Sequence, residues 1–551
     1  MQTNFYARPG LLLGLLLAAA SLGQETLYNG IRLPAHWPPR DQEVSVEPAG
    51  PPPYLLHPPE VIPIDVGRQF FVDDFLIEST DLRRSFHAAE YFPGNPVVRP
   101  DQPWEQGKNV SRAMVFSDGV WYDPAESLYK MWYMGLDATL YATSTDGIHW
   151  RKPMLDVQPG TNIVHAARRD SSTVWLDLEE RNPARRYKLA YSNGSRKPVS
   201  LYYSADGIHW GQAVAESPAA GDRTTVFWNP FRKVWVASLR DSGPGPSGRV
   251  AHPVPGDHVR LRSYREAPDL AAALAWNPGD PVKWTGADRL DASRVDLNVR
   301  PELYNLDAVA YESLLVGLFS IWRGQPPDRP KPNDVVVGFS RDGFHWSRPW
   351  RHPLVTVSEN GGDWNWGNVQ SAGGGFLVVG DRLFFYVSGR TGRRDNETDS
   401  TGLATLRRDG FASMDAGSAG GVLTTRPVRF KGRYLFVNAN AVAGSLRVEV
   451  LDGRDRVIPP FSAAECLPVE SDNTQQLVRW KSGADLAALA GKPVKFRFHL
   501  RASRLYAFWV SPERSGASHG YVAAGGPGFT GPVDTVGSAI YEHCCATGIL
   551  H

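Results

Sequence analysis

The heptapeptide STDGIHW at Ser144–Trp150 decides the fold, because close copies of it return along the chain. Ser204–Trp210 reads SADGIHW, Ser340–Trp346 reads SRDGFHW, and a weaker copy, RRDGF, ends at Phe411. The aspartates of the first two copies are 60 residues apart and those of the last two are 67 apart, whereas the middle interval of 136 residues equals two such steps. The spacing predicts five structural units, with one copy of the motif lost near Leu274.

Each unit contains three or four short runs of β-branched and aromatic residues separated by turn residues. In the second unit these runs are SSTVWLD, RYKLAYS and VSLYYS, and the Asp-Gly pair follows them. Alternating runs bounded by Gly, Pro, Asn and Asp are typical of antiparallel strands, and Asp-Gly favours tight turns. Such strands repeated radially form the blades of a β-propeller. We therefore predict an all-β chain in which residues 68–416 form a five-bladed β-propeller.

The repeated motif itself predicts structure rather than chemistry. We expect its aspartate to accept hydrogen bonds within the turn, its glycine to supply the turn conformation and its tryptophan to pack between units. The histidines of the three full copies, His149, His209 and His345, are therefore not expected to bind a ligand.

The composition places the chain among globular proteins with more than one core. It has 551 residues, a formal net charge of +1 and 42% hydrophobic residues, which suffices for two or three cores. The near-zero charge gives no electrostatic basis for nucleic-acid binding. The 18 Trp, 20 Tyr and 23 Phe residues suit both packing between blades and stacking on sugar rings, and composition alone does not separate the two uses.

The N-terminal 23 residues are typical of a secretory signal peptide. A single arginine precedes the apolar run Leu11–Ala20, which is followed by the small residues Ser21 and Gly23. This run is shorter than the roughly 20 residues that a membrane-spanning helix needs, so we predict a secreted or periplasmic protein without a membrane span. Residues 24–67 are Pro-rich and predict an extended lead-in.

After residue 416 the repeat ends and the pattern changes. Residues 417–511 contain alternating runs such as SLRVEVLD and KPVKFRFHL, which predict a β-sandwich. Residues 512–551 form a Gly-rich stretch that is typical of a loosely ordered tail. Three cysteines give no disulfide framework, and Cys544 and Cys545 follow His543 without a second pair of ligands at zinc spacing. We predict neither a metal site nor a cofactor.

Acidic residues that open the innermost strands are the candidates for catalysis, since a propeller brings these strands together at its axis. Asp170 and Asp222 share the frame D-x-S/T-T-V-aromatic, 52 residues apart. Glu105 takes the corresponding place in the first unit. An acid that donates a proton and a carboxylate that acts as base or nucleophile are the groups used in glycoside hydrolysis. We therefore predict Glu105, Asp170 and Asp222 as catalytic residues, although an acid at a strand start is also commonly a capping or turn residue.

Other residues at this end are predicted to bind substrate. Arginine can bind hydroxyl or carboxylate groups, tryptophan can stack on sugar rings, and further acids can enter the pocket. The predicted substrate-binding residues are Arg112, Arg240, Glu302, Asp363, Trp366 and Arg390, and Asp307, Trp104 and Trp364 lie nearby in the sequence.

The order of several motifs resembles secreted bacterial proteins described as glycosyl hydrolase family 32-like. These motifs include FVDDFLIE, NPVV with PWE, YKMWY, DGIHW, TTVFWNP and SRDGFHW, between about Arg68 and Val510. A more distant resemblance, to the five-bladed glycoside hydrolases of families 32, 43 and 68, implies three acids on neighbouring blades, at Glu105, Asp170 and Asp222. The sequence departs from the family 32 pattern: it lacks a WMNDPNG-like opening, an RDP triplet and an EC dipeptide, and it has Asp222 where the family has Glu and Asn365 where an acid would be expected. Fructosidase activity is therefore not implied.

We accordingly predict a glycoside hydrolase that acts on poly- or oligosaccharides. The rivals are a carbohydrate-binding propeller without catalysis and a scaffold for protein partners. A sialidase is a further alternative, but the Asp-box of sialidases reads S-x-D-x-G-x-T-W, and those enzymes use an arginine triad, a tyrosine nucleophile and typically six blades. The sugar, the linkage, the stereochemical course and the oligomeric state stay open.

Overall fold

The computed structural model describes residues 24–194, 197–244, 258–297, 299–392 and 395–545, and strands dominate it. The predicted all-β class is confirmed. Within the described residues the helices are short: Pro53–Leu56, Leu270–Leu274 and Ala539–Cys545 are α-helical, and Pro103–Glu105, Pro183–Arg185 and Leu486–Leu489 are 3₁₀-helical. The predicted signal peptide, residues 1–23, lies outside the described residues.

Within the described residues, five mainly antiparallel sheets follow one another, which we number 1 to 5 in chain order. Sheet 1 contains Met114–Asp123, Leu128–Met134, Thr139–Ser144 and Ile163–His165. Sheet 2 contains Ser171–Leu176, Tyr187–Ser192, Val199–Ser204 and Ala215–Glu216. Sheet 3 contains Thr225–Asn229, Val234–Pro244, His258–Ala267 and Val282–Gly286. Sheet 4 contains Glu302–Glu312, Leu314–Trp322, Asn333–Ser340 and the distant strand Tyr521–Val522. Sheet 5 contains Gln370–Ser371, Leu377–Val379, Arg382–Thr391 and Glu397–Arg407, and the N-terminal strands Glu90–Tyr91 and Val110–Arg112 complete it.

The sheets form a ring in which buried aromatic donors of sheets 1, 3, 4 and 5 link each of these sheets to the Asp-Gly turn of the next. The links, each written from donor to acceptor, are Trp132–Gly207, Trp284–Phe344, Tyr311–Asp409 and Tyr386–Gly147, at 2.7, 2.7, 2.6 and 2.5 Å. The last of these joins sheet 5 back to sheet 1. The first strands of neighbouring sheets contact one another on the inside of the ring.

The repeated motif has the structural role expected of it. In the first copy, Asp146 accepts hydrogen bonds from the backbone N–H groups of Ile148 and His149, both at 2.8 Å, and its other oxygen lies 2.7 Å from the His149 ring. Partial burial alone would raise the pKa of Asp146, but these hydrogen bonds outweigh burial and lower the pKa to about 2. Trp150 packs edge-on against Tyr386 of sheet 5.

Sheet 3 explains the missing copy of the motif. After its third strand the chain enters the helix Leu270–Leu274 instead of an Asp-Gly turn. Asp269 caps this helix by accepting hydrogen bonds from the N–H groups of Ala271 and Ala272. The helix therefore occupies the place that the turn has in the other sheets.

Two further sheets pack together as the predicted sandwich. One contains Asp472–Leu477, Tyr434–Asn440, Ser503–Ser511, Ala412–Ala416, Arg83–Phe86 and Gln69–Phe70. The other contains Ile77–Thr80, Gly421–Thr425, Lys495–Arg501 and Ser445–Leu451. A separate parallel pair joins Ile62–Pro63 to Val428–Arg429. The predicted boundaries at residues 68 and 416 therefore need correction, since residues 69–86 and 412–416 pair within the sandwich. The N-terminal segment belongs to the sandwich because its apolar side chains enter the core there. Phe71, for example, packs against Phe498 and Phe508.

A buried ionic network joins the sandwich side of the molecule to the ring. Arg68 lies 2.8 Å from Asp409 and 3.4 Å from Glu312, and Arg408 lies 3.2 Å from Glu312 and 3.4 Å from Asp534. All five side chains are inaccessible to solvent. The network connects the lead-in, sheets 4 and 5 and the C-terminal segment.

The Gly-rich C-terminal segment closes one end of the ring. Ala524 donates to the carbonyl of Phe376 and accepts from the N–H of Tyr122, both at 3.0 Å, so the segment touches sheets 5 and 1. Its small residues allow this approach, because a Cβ on Gly526 would collide with the carbonyl of Val378. The prediction of a loosely ordered tail is therefore wrong for residues 512–545.

Candidate active site

Polar side chains from four sheets meet in the middle of the ring, and we call this group the axial cluster. Its members are Ser117, Arg223, Asn305, Asp307 and Ser371, all buried. Asp307 accepts hydrogen bonds from Ser117 at 3.0 Å, from Asn305 at 2.9 Å and from Ser371 at 2.6 Å. Arg223 donates to Ser117 at 2.8 Å. Because the C-terminal segment covers one end of the ring, a site above the axial cluster lies at the other end, where the first strands begin.

The chain segments that contain Asp170 and Asp222 are linked at this end. The residues that follow them, Ser171 and Arg223, are hydrogen-bonded, because the N–H of Arg223 donates to the hydroxyl of Ser171 at 3.0 Å. Both aspartates are partly exposed. Asp222 forms an ion pair with Arg240, whereas Asp170 makes no side-chain hydrogen bond or ion pair with any residue that the structure describes. The two carboxylates therefore have different surroundings.

The pKa of Tyr304 is strongly perturbed by its surroundings. It sits at a bulge in the first strand of sheet 4, where the register shifts between Leu303 and Asn305. Lys331 donates a hydrogen bond to its hydroxyl at 2.7 Å, and the Arg260 guanidinium lies 5.2 Å from its ring centre. Burial raises the pKa of Tyr304, but the neighbouring cations outweigh burial and lower the pKa from 10.0 to about 7.

Arg112 and Arg390 lie where sheets 5 and 1 meet, and they share two acids. Arg112 donates to Asp399 at 2.6 Å and lies 3.5 Å from Glu397, and Arg390 lies 3.4 Å from Glu397. The two arginine side chains are 16% and 15% exposed, whereas Asp399 is fully buried. Both predicted arginines therefore reach the surface at the open end of the ring.

Electrostatic interactions place these groups in one region. Against the effect of burial, Asp399, Glu397, Tyr304 and Asp170 together raise the pKa of Arg390. Tyr304 and Asp170 also act on the buried Arg223 of the axial cluster. Asp170, Tyr304 and Arg390 are thus close enough to interact electrostatically.

Glu302 occupies the predicted end of the ring but is not open to a ligand. It begins the first strand of sheet 4, is fully buried, and lies 2.7 Å from Arg260. The negative charge of Glu302 is therefore balanced by Arg260 within the protein.

The prediction that Glu105 lines the axial pocket is wrong. The side chain is fully buried at the end of the 3₁₀-helix Pro103–Glu105, and it accepts hydrogen bonds from the N–H groups of Asp101 and Gln102. Tyr133 and Lys152 donate to the same carboxylate, each at 2.7 Å. These partners belong to the outer strands and loops of sheet 1, so Glu105 closes a turn away from the axis.

The other predicted residues also have structural partners. Asp363 is exposed in a loop and accepts a hydrogen bond from Ser358 at 2.5 Å. The Arg329 guanidinium covers one face of Trp366, 5.2 Å from the ring centre. These contacts do not favour the predicted substrate-binding role of Asp363 and Trp366. Trp364 fills the space over Gly389, and Trp104 donates to Asn162 at 2.7 Å.

Sequence reasoning missed five residues of this region, namely Arg223, Arg260, Arg262, Tyr304 and Lys331. The alternation in VRLRSYRE carries a signal, because Arg260 and Arg262 are two residues apart and thus share one face of a strand. Tyr304 follows Glu302 on a predicted inner strand, but no pattern reveals the bulge that turns it toward Lys331.

No metal site emerges from the described part of the chain, in which no three His, Cys, Asp or Glu side chains are grouped to hold an ion. The side chains of His543, Cys544 and Cys545 lie outside this description. No helix among the described residues is long and apolar enough to cross a membrane.

Comparisons with known proteins give distant structural similarities only. No protein-family model and no curated protein matches the chain. A fructofuranosidase from Schwanniomyces occidentalis in complex with fructose is 12% identical, covering 77% of this chain and 97% of its own, with a TM-score of 0.32. An endo-arabinase from Bacteroides thetaiotaomicron is also 12% identical, covering 53% and 94%, with a TM-score of 0.34. A structure titled glycoside hydrolase is 13% identical, covering 59% and 92%, with a TM-score of 0.35. These values assign no residue and no substrate, and the resemblance to family 32-like proteins stays a prediction.

Proposed function

We propose that this chain is a glycoside hydrolase whose active site lies at the open end of the ring. The observation that carries the proposal is that Asp170 and Asp222, two partly exposed acids, precede the first strands of neighbouring sheets. Asp222 is paired with an arginine, and Asp170 has no ion-pair partner among the described residues. Glycoside hydrolysis uses two carboxyl groups in different protonation states.

The surroundings of the two acids suggest their roles. The ion pair with Arg240 favours the charged form of Asp222, so Asp222 acts as the base or the nucleophile. Asp170 makes no side-chain hydrogen bond or ion pair with another described residue, so its carboxyl group is free to face the leaving oxygen, and we assign it the role of the general acid. The axial cluster beneath them supplies a polar floor.

The architecture in this proposal is a five-bladed β-propeller, with sheets 1 to 5 as its blades, packed against a β-sandwich. The substrate is a poly- or oligosaccharide. The predicted signal peptide would export the protein to the periplasm or the medium, where such substrates are met.

A non-catalytic carbohydrate-binding protein is the second candidate. It is favoured by Glu105 and Glu302, two predicted acids that are held in buried structural contacts. This candidate keeps the open end of the ring as a sugar site but assigns no proton transfer to Asp170.

A hydrolysis screen separates the two candidates. The protein without residues 1–23 is incubated with aryl furanosides, aryl pyranosides and polysaccharides, beside the variants Asp170→Asn and Asp222→Asn. Asp137→Asn is the matched control, because Asp137 is exposed and lies 3.9 Å from its only ion-pair partner among the described residues, Arg168. We expect sugar release by the wild type and the control but not by the two variants. Sugar binding without release by any of these proteins would contradict the hydrolase.

A further inference from the structure

Cationic side chains surround the hydroxyl of Tyr304. Lys331 donates to it at 2.7 Å, Arg260 lies 5.2 Å from the ring centre, and Arg223 and Arg390 interact with it electrostatically. These four cations come from sheets 3, 4 and 5, so the fold gathers them at one point of the axis.

Three cations of this region have no carboxylate at ion-pair distance among the described residues. Lys331, Arg223 and Arg262 form no ion pair with a carboxylate among the described residues. Arg223 and Arg262 are both buried, and Nε of Arg223 and Nη1 of Arg262 have no hydrogen-bond partner there. Buried charges are costly unless they are paired.

Two of the nearest acids, Asp307 and Asp118, supply little of the missing charge, whereas Asp170 and Tyr304 also act on Arg223. Asp307 interacts with Arg223, but burial raises the pKa of Asp307 and so weakens it as an anion. Asp118 also interacts with Arg223, but Arg169 pairs with it at 2.5 Å. Burial, and after it the charge of Arg223, lower the pKa of Arg262 to about 9.

We propose that these cations form a subsite for an oxyanion substituent of a sugar, either the carboxylate of a uronic acid residue or a sulfate ester. The subsite deepens the proposed function, on which it rests, because it would hold an acidic sugar next to Asp170. Lys331 and Arg390 are the partly exposed cations and donate charge-assisted hydrogen bonds to the oxyanion. Arg223 and Arg262 add charge from below. A neutral sugar offers none of these interactions.

Calorimetric titration tests the subsite without requiring hydrolysis. The wild type is titrated with galacturonate, glucuronate, galactose 6-sulfate and galactose, and the two kinds of acidic sugar distinguish a carboxylate from a sulfate ligand. We expect at least one acidic sugar to bind about tenfold or more tightly than galactose, since a hydrogen bond to a charged group contributes that much.

Substitutions test which side chains cause the preference for an acidic sugar over galactose. Lys331→Met and Arg390→Gln are expected to bind the acidic sugar no better than galactose, whereas Lys481→Met, which changes an exposed lysine of the sandwich region, keeps the wild-type preference. Thermal unfolding of each variant checks that it is folded, and two separate substitutions are used so that a folding defect in one does not decide the result. Equal binding of acidic and neutral sugars, no binding of any acidic sugar, or a preference that survives both substitutions would overturn the subsite. Binding of an acidic sugar by a protein that hydrolyses nothing would keep the subsite and contradict the hydrolase instead.

Discussion

Replacing Gly207 with alanine should destabilise the ring where sheets 1 and 2 meet. Gly207 has a φ of +78°, and a Cβ there would collide with the ring of Trp132 and lie 3.0 Å from Tyr187. A side chain at positive φ costs about 1–2 kcal/mol. Forcing a methyl group into a packed core costs about 1–3 kcal/mol more. We therefore expect the free energy of unfolding to fall by about 2–5 kcal/mol.

Gly160→Ala separates the two contributions. Gly160 has nearly the same φ, +79°, but nothing lies within 4 Å of the added Cβ. This variant should lose only the conformational part, about 1–2 kcal/mol. Urea denaturation followed by tryptophan fluorescence measures both. Equal losses in the two variants would show that the contact between the turn and Trp132 is not specific, and would refute the role of the motif as a link between sheets.

Three further outcomes follow from the buried groups. Glu105→Gln removes the buried carboxylate that pairs with Lys152 and should lower the free energy of unfolding by about 1–3 kcal/mol. The turnover of the folded variant should be unchanged. A loss of turnover would indicate that Glu105 belongs to the active site. Arg68→Met should lower the free energy of unfolding by about 3–5 kcal/mol, because it leaves buried acids without their cationic partner. Arg83→Met, at an exposed arginine, should change stability little. Equal effects of the two substitutions would contradict the ionic network. Tyrosinate absorbance should appear with a midpoint near pH 7 and be absent in Tyr304→Phe, since the pKa of Tyr304 is lowered to about 7. Because the pKa of Tyr304 in the folded protein lies below its ordinary value of 10.0, ionisation of Tyr304 stabilises the folded state. This contribution to the free energy of unfolding is absent below pH 7 and grows as pH rises toward 10. No absorbance change near neutral pH would refute the cationic surroundings of Tyr304.

The repeat made the ring predictable because each copy marks the same local structure. The runs SSTVWLD, RYKLAYS and VSLYYS correspond to the strands Ser171–Leu176, Tyr187–Ser192 and Val199–Ser204. The domain boundaries were not predictable, because Gln69–Phe70 pairs with Ser503–Ser511 across more than four hundred residues, and no local pattern encodes such a partner.

The candidate site was predictable only where the repeat extends to it. Asp170 and Asp222 share a sequence frame, and the residues that follow them, Ser171 and Arg223, are hydrogen-bonded in the structure. Glu105 shares no such frame, and its contact with Lys152 depends on a loop that folds back from the end of sheet 1. Tyr304 depends on a bulge and on Lys331 from the loop that precedes the strand Asn333–Ser340. Polar residues whose role is set by tertiary contacts carry no periodic signal in the sequence.

The most direct test of the proposed acid–base pair compares leaving groups. Rates of hydrolysis by the wild type, Asp170→Asn and Asp137→Asn are measured on a phenyl glycoside and a dinitrophenyl glycoside of the sugar that the screen identifies. The dinitrophenolate leaves without a proton, whereas the phenolate needs one from the general acid. If Asp170 is that acid, Asp170→Asn slows the phenyl glycoside by about a hundredfold or more and leaves the dinitrophenyl glycoside nearly unchanged. Equal slowing of both substrates, or of neither, would contradict the account.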